Sequence, residues 1–167
     1  NADVVAQEGK TNLLRLNNSL PRAWFVVSAQ ANVDDPTALA AMASDSFDPR
    51  AIAYLSGELP PQEYPDASRN SAQVTRHEPE HLVIAIDAPV AAVLMVSQVY
   101  YPGWQVTIDK VPVELRRADV ALIAVPVQPG AQQVELIYDP GSVKIGIALT
   151  LITVFMIALA AIGFRRK

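Results

Sequence analysis

Cysteine is absent from the 167-residue chain, which excludes disulfide frameworks, thiolate nucleophiles and Cys-ligated zinc or iron–sulfur centres. Histidine is nearly absent: His77 and His81 are the only two. Charge is scarce, at 18% of residues against roughly 25% in ordinary soluble domains. The seven glycines form no phosphate-cradling loop, and no serine stands in a G-x-S-x-G setting. Apolar residues are plentiful, at 51%, which is not the composition of a disordered chain. The length allows one domain of ordinary size with an appendage.

The scarce charge is unevenly divided. All 17 acidic residues lie between Asp3 and Asp139, where nine basic residues accompany them. Beyond Asp139 stand only Lys144, Arg165, Arg166 and Lys167. An acidic domain makes a poor nucleic-acid partner, because phosphate contacts need clustered Lys and Arg. The basic end flanks Ile145–Phe164, a run without a charge whose only polar side chains are Thr150 and Thr153. A helix of that length spans about 30 Å, the hydrocarbon thickness of a bilayer. Both threonines can return their hydroxyls to the preceding turn. The reading is a transmembrane helix over 143–164, flanked by Lys144 on one side and Arg165, Arg166 and Lys167 on the other. The positive-inside rule then places 165–167 in the cytoplasm and 1–142 outside, in the periplasm or at the cell surface. An outside domain needs an export signal or a preceding membrane helix. The first residues, NADVVAQEGKTNLL, supply neither a basic n-region nor an apolar h-region. The expectation is therefore a processed subunit or part of a longer membrane protein.

The outer region reads as mainly β. Residues 1–12 are polar, either frayed or part of a strand. Leu13–Leu16 and Ala23–Ala31 read as strands around NNSLP, and Asn17-Asn18-Ser19 matches a glycosylation sequon. Asp34-Asp35-Pro36 followed by TALAAMAS reads as an N-cap and a short helix to about Ser44. Asp48-Pro49 turns into a strand ending at Leu55. Residues 56–71, rich in proline, read as a surface loop or hinge. Strands then follow over 72–77, 81–87, 91–101, 104–108, 111–115, 121–127 and 132–138. Alternation is clearest at Trp104, Val106 and Ile108, and at Val134, Leu136 and Tyr138. Asp109-Lys110 and Pro129-Gly130 mark turns, and Asp139-Pro140-Gly141 ends the sheet. Short strands at this spacing predict an antiparallel β-sandwich of immunoglobulin or jelly-roll type.

Three groups of residues could carry chemistry. His77 and His81 could face each other across the Glu78-Pro79-Glu80 turn as a metal pair, although no third ligand is apparent. Tyr100, Tyr101 and Trp104 cluster around Pro102-Gly103. They offer rings on which a sugar could stack; the alternative is Trp104 as the core plug of the sandwich and Tyr101 as the cap of a sheet edge. The charge run Asp109, Glu114, Arg116, Arg117 and Asp119 reads as a solvated hairpin edge, with binding of phosphate or an anionic polymer as the alternative. No catalytic residue and no cofactor is expected.

The stretch YYPGWQVTIDKVPVELRRADVALIAVPVQPGAQQVELIYDPGSVKIG resembles the C-terminal end of the YfhO-type bacterial membrane proteins. The resemblance rests on Tyr101-Pro102-Gly103-Trp104, the Asp109-Lys110 turn, Leu122–Val127, Pro129-Gly130 with Val134, and Tyr138-Asp139-Pro140. Upstream, NNSLPRAWFV and Phe47-Asp48-Pro49 also fit. Lys110 stands where the family usually has glycine. The resemblance implies a polytopic protein of the GT-C glycosyltransferase type, using polyprenyl-phosphate sugar, whose catalytic acids lie in another region. This chain would supply a non-catalytic outer domain and last membrane helix in cell-envelope glycosylation. Its expected partners are the lipid bilayer, other transmembrane helices, and a glycan or the lipid-linked sugar. A single-pass accessory subunit of a membrane complex is the alternative.

Overall fold

A computed structural model describes residues 2–9, 11–16, 19–60 and 66–165, with side chains left aside at Ala2, Arg15, Leu16 and 158–165. The sequon residues Asn17 and Asn18, part of the 56–71 loop, and the basic residues Arg166 and Lys167 lie outside the described residues.

The chain opens with a hairpin of β1 (Ala2–Glu8) and β2 (Thr11–Leu16). β3 (Ala23–Val26), β4 (Ser28–Gln30), α1 (Asp35–Met42) and β5 (Ile52–Tyr54) follow. Then come β6 (Ser71–Glu78), β7 (His81–Asp87), β8 (Ala92–Val99), β9 (Trp104–Ile108) and β10 (Val111–Val113). The last strands are β11 (Arg116–Ala118), β12 (Leu122–Val127) and β13 (Gln133–Tyr138), before α2 (Gly141–Arg165).

Two antiparallel sheets pack face to face. One has the order β10-β9-β13-β7-β6, the other β11-β12-β8-β3. Between them lies a core that includes Leu82, Ile84, Leu94, Val96, Val106, Ile123, Val125, Val134 and Leu136. The four-stranded sheet is covered on its other face too. The parallel pair β4–β5 and neighbouring segments bury Trp24, Ala53, Leu55, Val93, Met95 and Ala124 there. This explains why β8 and β12 are apolar without alternation, while β7, β9 and β13 alternate. The sandwich expected from the sequence is thus present.

Three expected strands end early: 91–101 stops at Val99, leaving Tyr100 and Tyr101 outside any strand, and two others are divided or cut short. Ala23–Ala31 divides at Val27: β3 joins the sandwich, and β4 leaves it to pair with β5. Val111–Leu115 ends as a strand at Val113, after which the chain crosses to the other sheet as β11. The helix after Asp34 forms as expected, with the Asp34 carboxylate accepting from the Thr37 amide at 3.0 Å. The Asp109-Lys110 turn is a two-residue hairpin with both φ angles positive, 49° and 70°, the primed geometry that suits a twisted hairpin. At the C-terminus α2 begins at Gly141. Its Thr150 and Thr153 hydroxyls donate to the carbonyls of Gly146 and Leu149. Among the described residues no helix is long and apolar enough to cross a membrane, the side chains of α2 being described only to Ile157.

Candidate functional site: an aromatic groove at the start of α2

The aromatic cluster sits where β8 crosses to β9. The Tyr100 amide donates to the Ala121 carbonyl at 2.7 Å, which fixes the start of the crossing. Gly103 then adopts φ +118°, outside the range comfortable for a side chain. A Cβ there would meet the Tyr138 ring at 3.0 Å and the Pro140 Cα at 3.1 Å. The Asp139 amide donates to the Gly103 carbonyl at 2.8 Å. Tyr-Pro-Gly-Trp and Tyr-Asp-Pro are therefore two sides of one joint, which ties β9 to the first turn of α2.

The register of β9 on β13 sets Trp104 directly across from Tyr138. Their ring centroids lie 5.2 Å apart at 49°, and Tyr101 stands 6.5 Å from Tyr138. Trp104 is half-buried against the edge of the inter-sheet core, whereas the fully buried tryptophan is Trp24. The Trp24 Nε1 donates to the Pro49 carbonyl at 2.8 Å.

A groove of about 440 Å³ runs along these rings, walled opposite by Pro112, Val113, Glu114 and Leu115. A second cleft of about 390 Å³ shares Tyr100, Glu114 and Leu115, and continues to Ser56, Glu58, Arg116 and Arg117. Sequence reasoning missed this opposite wall and Tyr138. The signal available was the hairpin itself, which returns the residues after Val113 to the end of β9 where Trp104 lies.

The arginines of the second cleft are engaged internally. Arg116 pairs with Glu114 at 2.5 Å and donates from Nε to the Glu58 carbonyl at 2.8 Å. Arg117 holds Asp35 with two bonds of 2.9 and 2.8 Å and also reaches the Val120 carbonyl. The Asp35 carboxylate raises the Arg117 pKa above its usual value. The charge run is thus no uniform solvated edge. Asp119 is 6% exposed, and burial pushes its carboxyl pKa up while the Tyr54 amide, donating at 2.9 Å, works against that shift. Asp119 and Val120 both have positive φ, 46° and 66°. For a β-branched valine that is an uncommon conformation.

The two histidines are not brought together. Glu78 pairs across the hairpin with His81, and His77 with Leu82, so adjacent register positions send the rings to opposite faces. His77 Nε2 meets Arg22 at 2.9 Å, and His81 Nε2 meets Glu135 at 2.6 Å. Among the described residues no group of three or more His, Asp or Glu is placed to hold a metal. Lys144 stands on the first turns of α2, its Nζ 2.5 Å from Asp139. Arg165 ends the helix.

No curated protein and no solved structure matches the chain. The family described as Bacterial membrane protein YfhO matches residues 51–150, from β5 through the sandwich and into α2. That match spans the groove, the joint and most of both sheets. The chain belongs to the YfhO family of bacterial membrane proteins.

Proposed function

We propose that this chain is an extracytoplasmic β-sandwich with the last membrane helix of a YfhO-type protein, acting without catalysis of its own in cell-envelope glycosylation. The sequence supports the anchor: the uncharged run Ile145–Phe164, as a helix at 1.5 Å per residue, would span about 30 Å, the hydrocarbon thickness of a bilayer. Lys144 at its start and the basic residues at its end support an outside domain.

The observation that carries the functional reading is the groove beside α2. It places Tyr100, Tyr101 and Trp104 next to the exposed carboxylate of Glu114. Rings supply flat apolar surface for a sugar face, and the Glu114–Arg116 pair supplies an acceptor and donors for hydroxyls. Because both arginines already hold carboxylates of this chain, the groove suits a neutral sugar ring better than a phosphate. Nothing in it provides a positioned base with a dry leaving-group site.

The test is calorimetric titration of the full chain in lipid nanodiscs with a neutral hexose oligosaccharide, alongside the matching hexose 1-phosphate. Saturable binding of the neutral sugar, weakened tenfold or more by Tyr101→Ala, is the expected result. Absent binding, or binding indifferent to Tyr101, refutes the glycan role.

The alternative, an accessory subunit of a membrane complex, draws support from the exposed apolar residues Val4, Leu13 and Leu14 on the β1–β2 hairpin. The mass of the native polypeptide distinguishes the two: near 18.0 kDa for a subunit, several-fold larger for the polytopic protein.

A further inference from the structure

We infer that the α2 end of the sandwich rests on the bilayer surface, with Val99, Tyr100 and Tyr101 at the boundary between lipid headgroups and acyl chains. The inference rests on the reading of α2 as a membrane anchor, and it adds where and how the domain sits.

The first observation is exposure. Val99, Tyr100 and Tyr101 are consecutive and 61%, 36% and 62% exposed, and Ile137 near the end of β13 is 42% exposed. The sandwich has two apolar cores, yet it leaves this patch uncovered. Exposed apolar residues are ordinary singly; a run of three in contact with an aromatic groove is not.

The second observation is position. The patch is tied to the first turn of α2 through the Gly103–Asp139 hydrogen bond, the Gly103–Pro140 contact and the Tyr101–Tyr138 ring pair. Tyr101 and Gly103 thus lie against the residues that lead directly into α2. Tyr and Trp have the chemistry of that layer, an apolar ring with a polar tip.

The third observation is charge. From Ala88 to Ile108 the chain carries no charged side chain, although the domain around it is strongly acidic. The charges at the same end are those of the β6–β7 turn, where the Glu80 carbonyl accepts from the Tyr138 amide, of Lys144 with Asp139, and of Glu114, Arg116 and Arg117 across the groove. In the proposed pose Val99–Tyr101 face the membrane, while the Glu78–Glu80 turn and the exposed Glu114 carboxylate stay in water. β9 rises away from the membrane by about 13 Å from Trp104 to Ile108, at roughly 3.3 Å per residue. Its hairpin partner Val111, 62% exposed, lies at the far end.

The absence of cysteine makes the test direct. Single variants Tyr101→Cys, Val111→Cys and Ile152→Cys of the full chain carry a nitroxide label in phosphatidylcholine vesicles. Power-saturation spin resonance reads collisions with oxygen and with a water-soluble nickel chelate. All three positions are more than half exposed, so the label does not disturb a core. The expected result is nickel accessibility at 101 several-fold below that at 111, with the Ile152 label deep in lipid. If Ile152 is in lipid but 101 matches 111, the surface contact is wrong and the anchor stands. If the Ile152 label is in water, the anchor fails and the surface contact with it.

Discussion

Gly103→Ala tests the joint between sandwich and helix. Two costs apply. An alanine at φ +118° carries backbone strain of about 1–3 kcal/mol. Its Cβ would also lie 3.0 Å from the Tyr138 ring and 3.1 and 3.2 Å from Pro140 Cα and Cβ. The Tyr138 ring cannot swing freely, because the Trp104 ring packs against it, tilted, with centroids 5.2 Å apart. Pro140 cannot retreat without stretching the Asp139–Gly103 hydrogen bond. Crowding of this kind costs about 1–3 kcal/mol, so the sum is about 2–6 kcal/mol, a large share of the roughly 5–15 kcal/mol that holds a domain. Gly130 supplies the control. Its φ is +84°, but nothing lies within 4 Å of a Cβ there, so Gly130→Ala pays strain alone. Urea unfolding of the full chain in detergent, followed by tryptophan fluorescence, reads both. Gly103→Ala should lose at least 1 kcal/mol more than Gly130→Ala. Equal losses would refute the crowded joint and the structural account of the Tyr-Pro-Gly-Trp motif built on it.

Four further substitutions probe other parts of the argument. Lys110→Gly relieves a positive φ of 70° worth about 1 kcal/mol of strain, less the extra freedom glycine gives the unfolded chain; a small rise in the urea midpoint is expected, and a fall would count against the primed turn. Asp119→Asn keeps an acceptor for the Tyr54 amide and removes a carboxyl that burial raises above its ordinary 3.8. Because the folded state holds that proton more tightly than the unfolded one, Asp119 makes stability fall as pH rises from about 3.8 through the raised value. The variant should lose this slope and be at least as stable as the parent at neutral pH. Trp24→Ala should cost about 3–5 kcal/mol, as for a filled core position, whereas Trp104→Ala, at a half-buried site, should cost clearly less; the reverse order would make Trp104 the core tryptophan after all.

What the sequence revealed divides along a physical line. β9 and β13 were readable residue by residue because one face of each meets the core and the other meets solvent, so alternation is imposed. The break at Val113 was not readable: Val111, Val113 and Leu115 continue the alternation, and only pairing of Arg116 with Ala124 in the other sheet ends the strand. The β4–β5 pair was hidden for a similar reason, since Ser28 meets Ile52 across an intervening helix and no local pattern records that contact. Burial of Asp119 escaped notice because a charge run looks solvated until a neighbour such as Tyr54 is brought against it.

The candidate site shows the same line running through a single groove. One wall, Tyr100 to Trp104, is a contiguous motif and could be named from sequence. The other, Pro112 to Leu115, joins it only because the β9–β10 hairpin doubles the chain back. Both walls include segments in which the chain crosses from one sheet to the other, at 100–103 and at 114–115. Residues in such crossings are released from the strand ladder and its inward–outward alternation, so their side chains need not serve the core. Crossing at the same end of the sandwich opens a groove between them, and the turn into α2 is attached to that end through Gly103. The fold thus gathers its free aromatic side chains at the start of α2. Of these rings only Trp104 is packed against the core, while Tyr101, 62% exposed, is left to face outward.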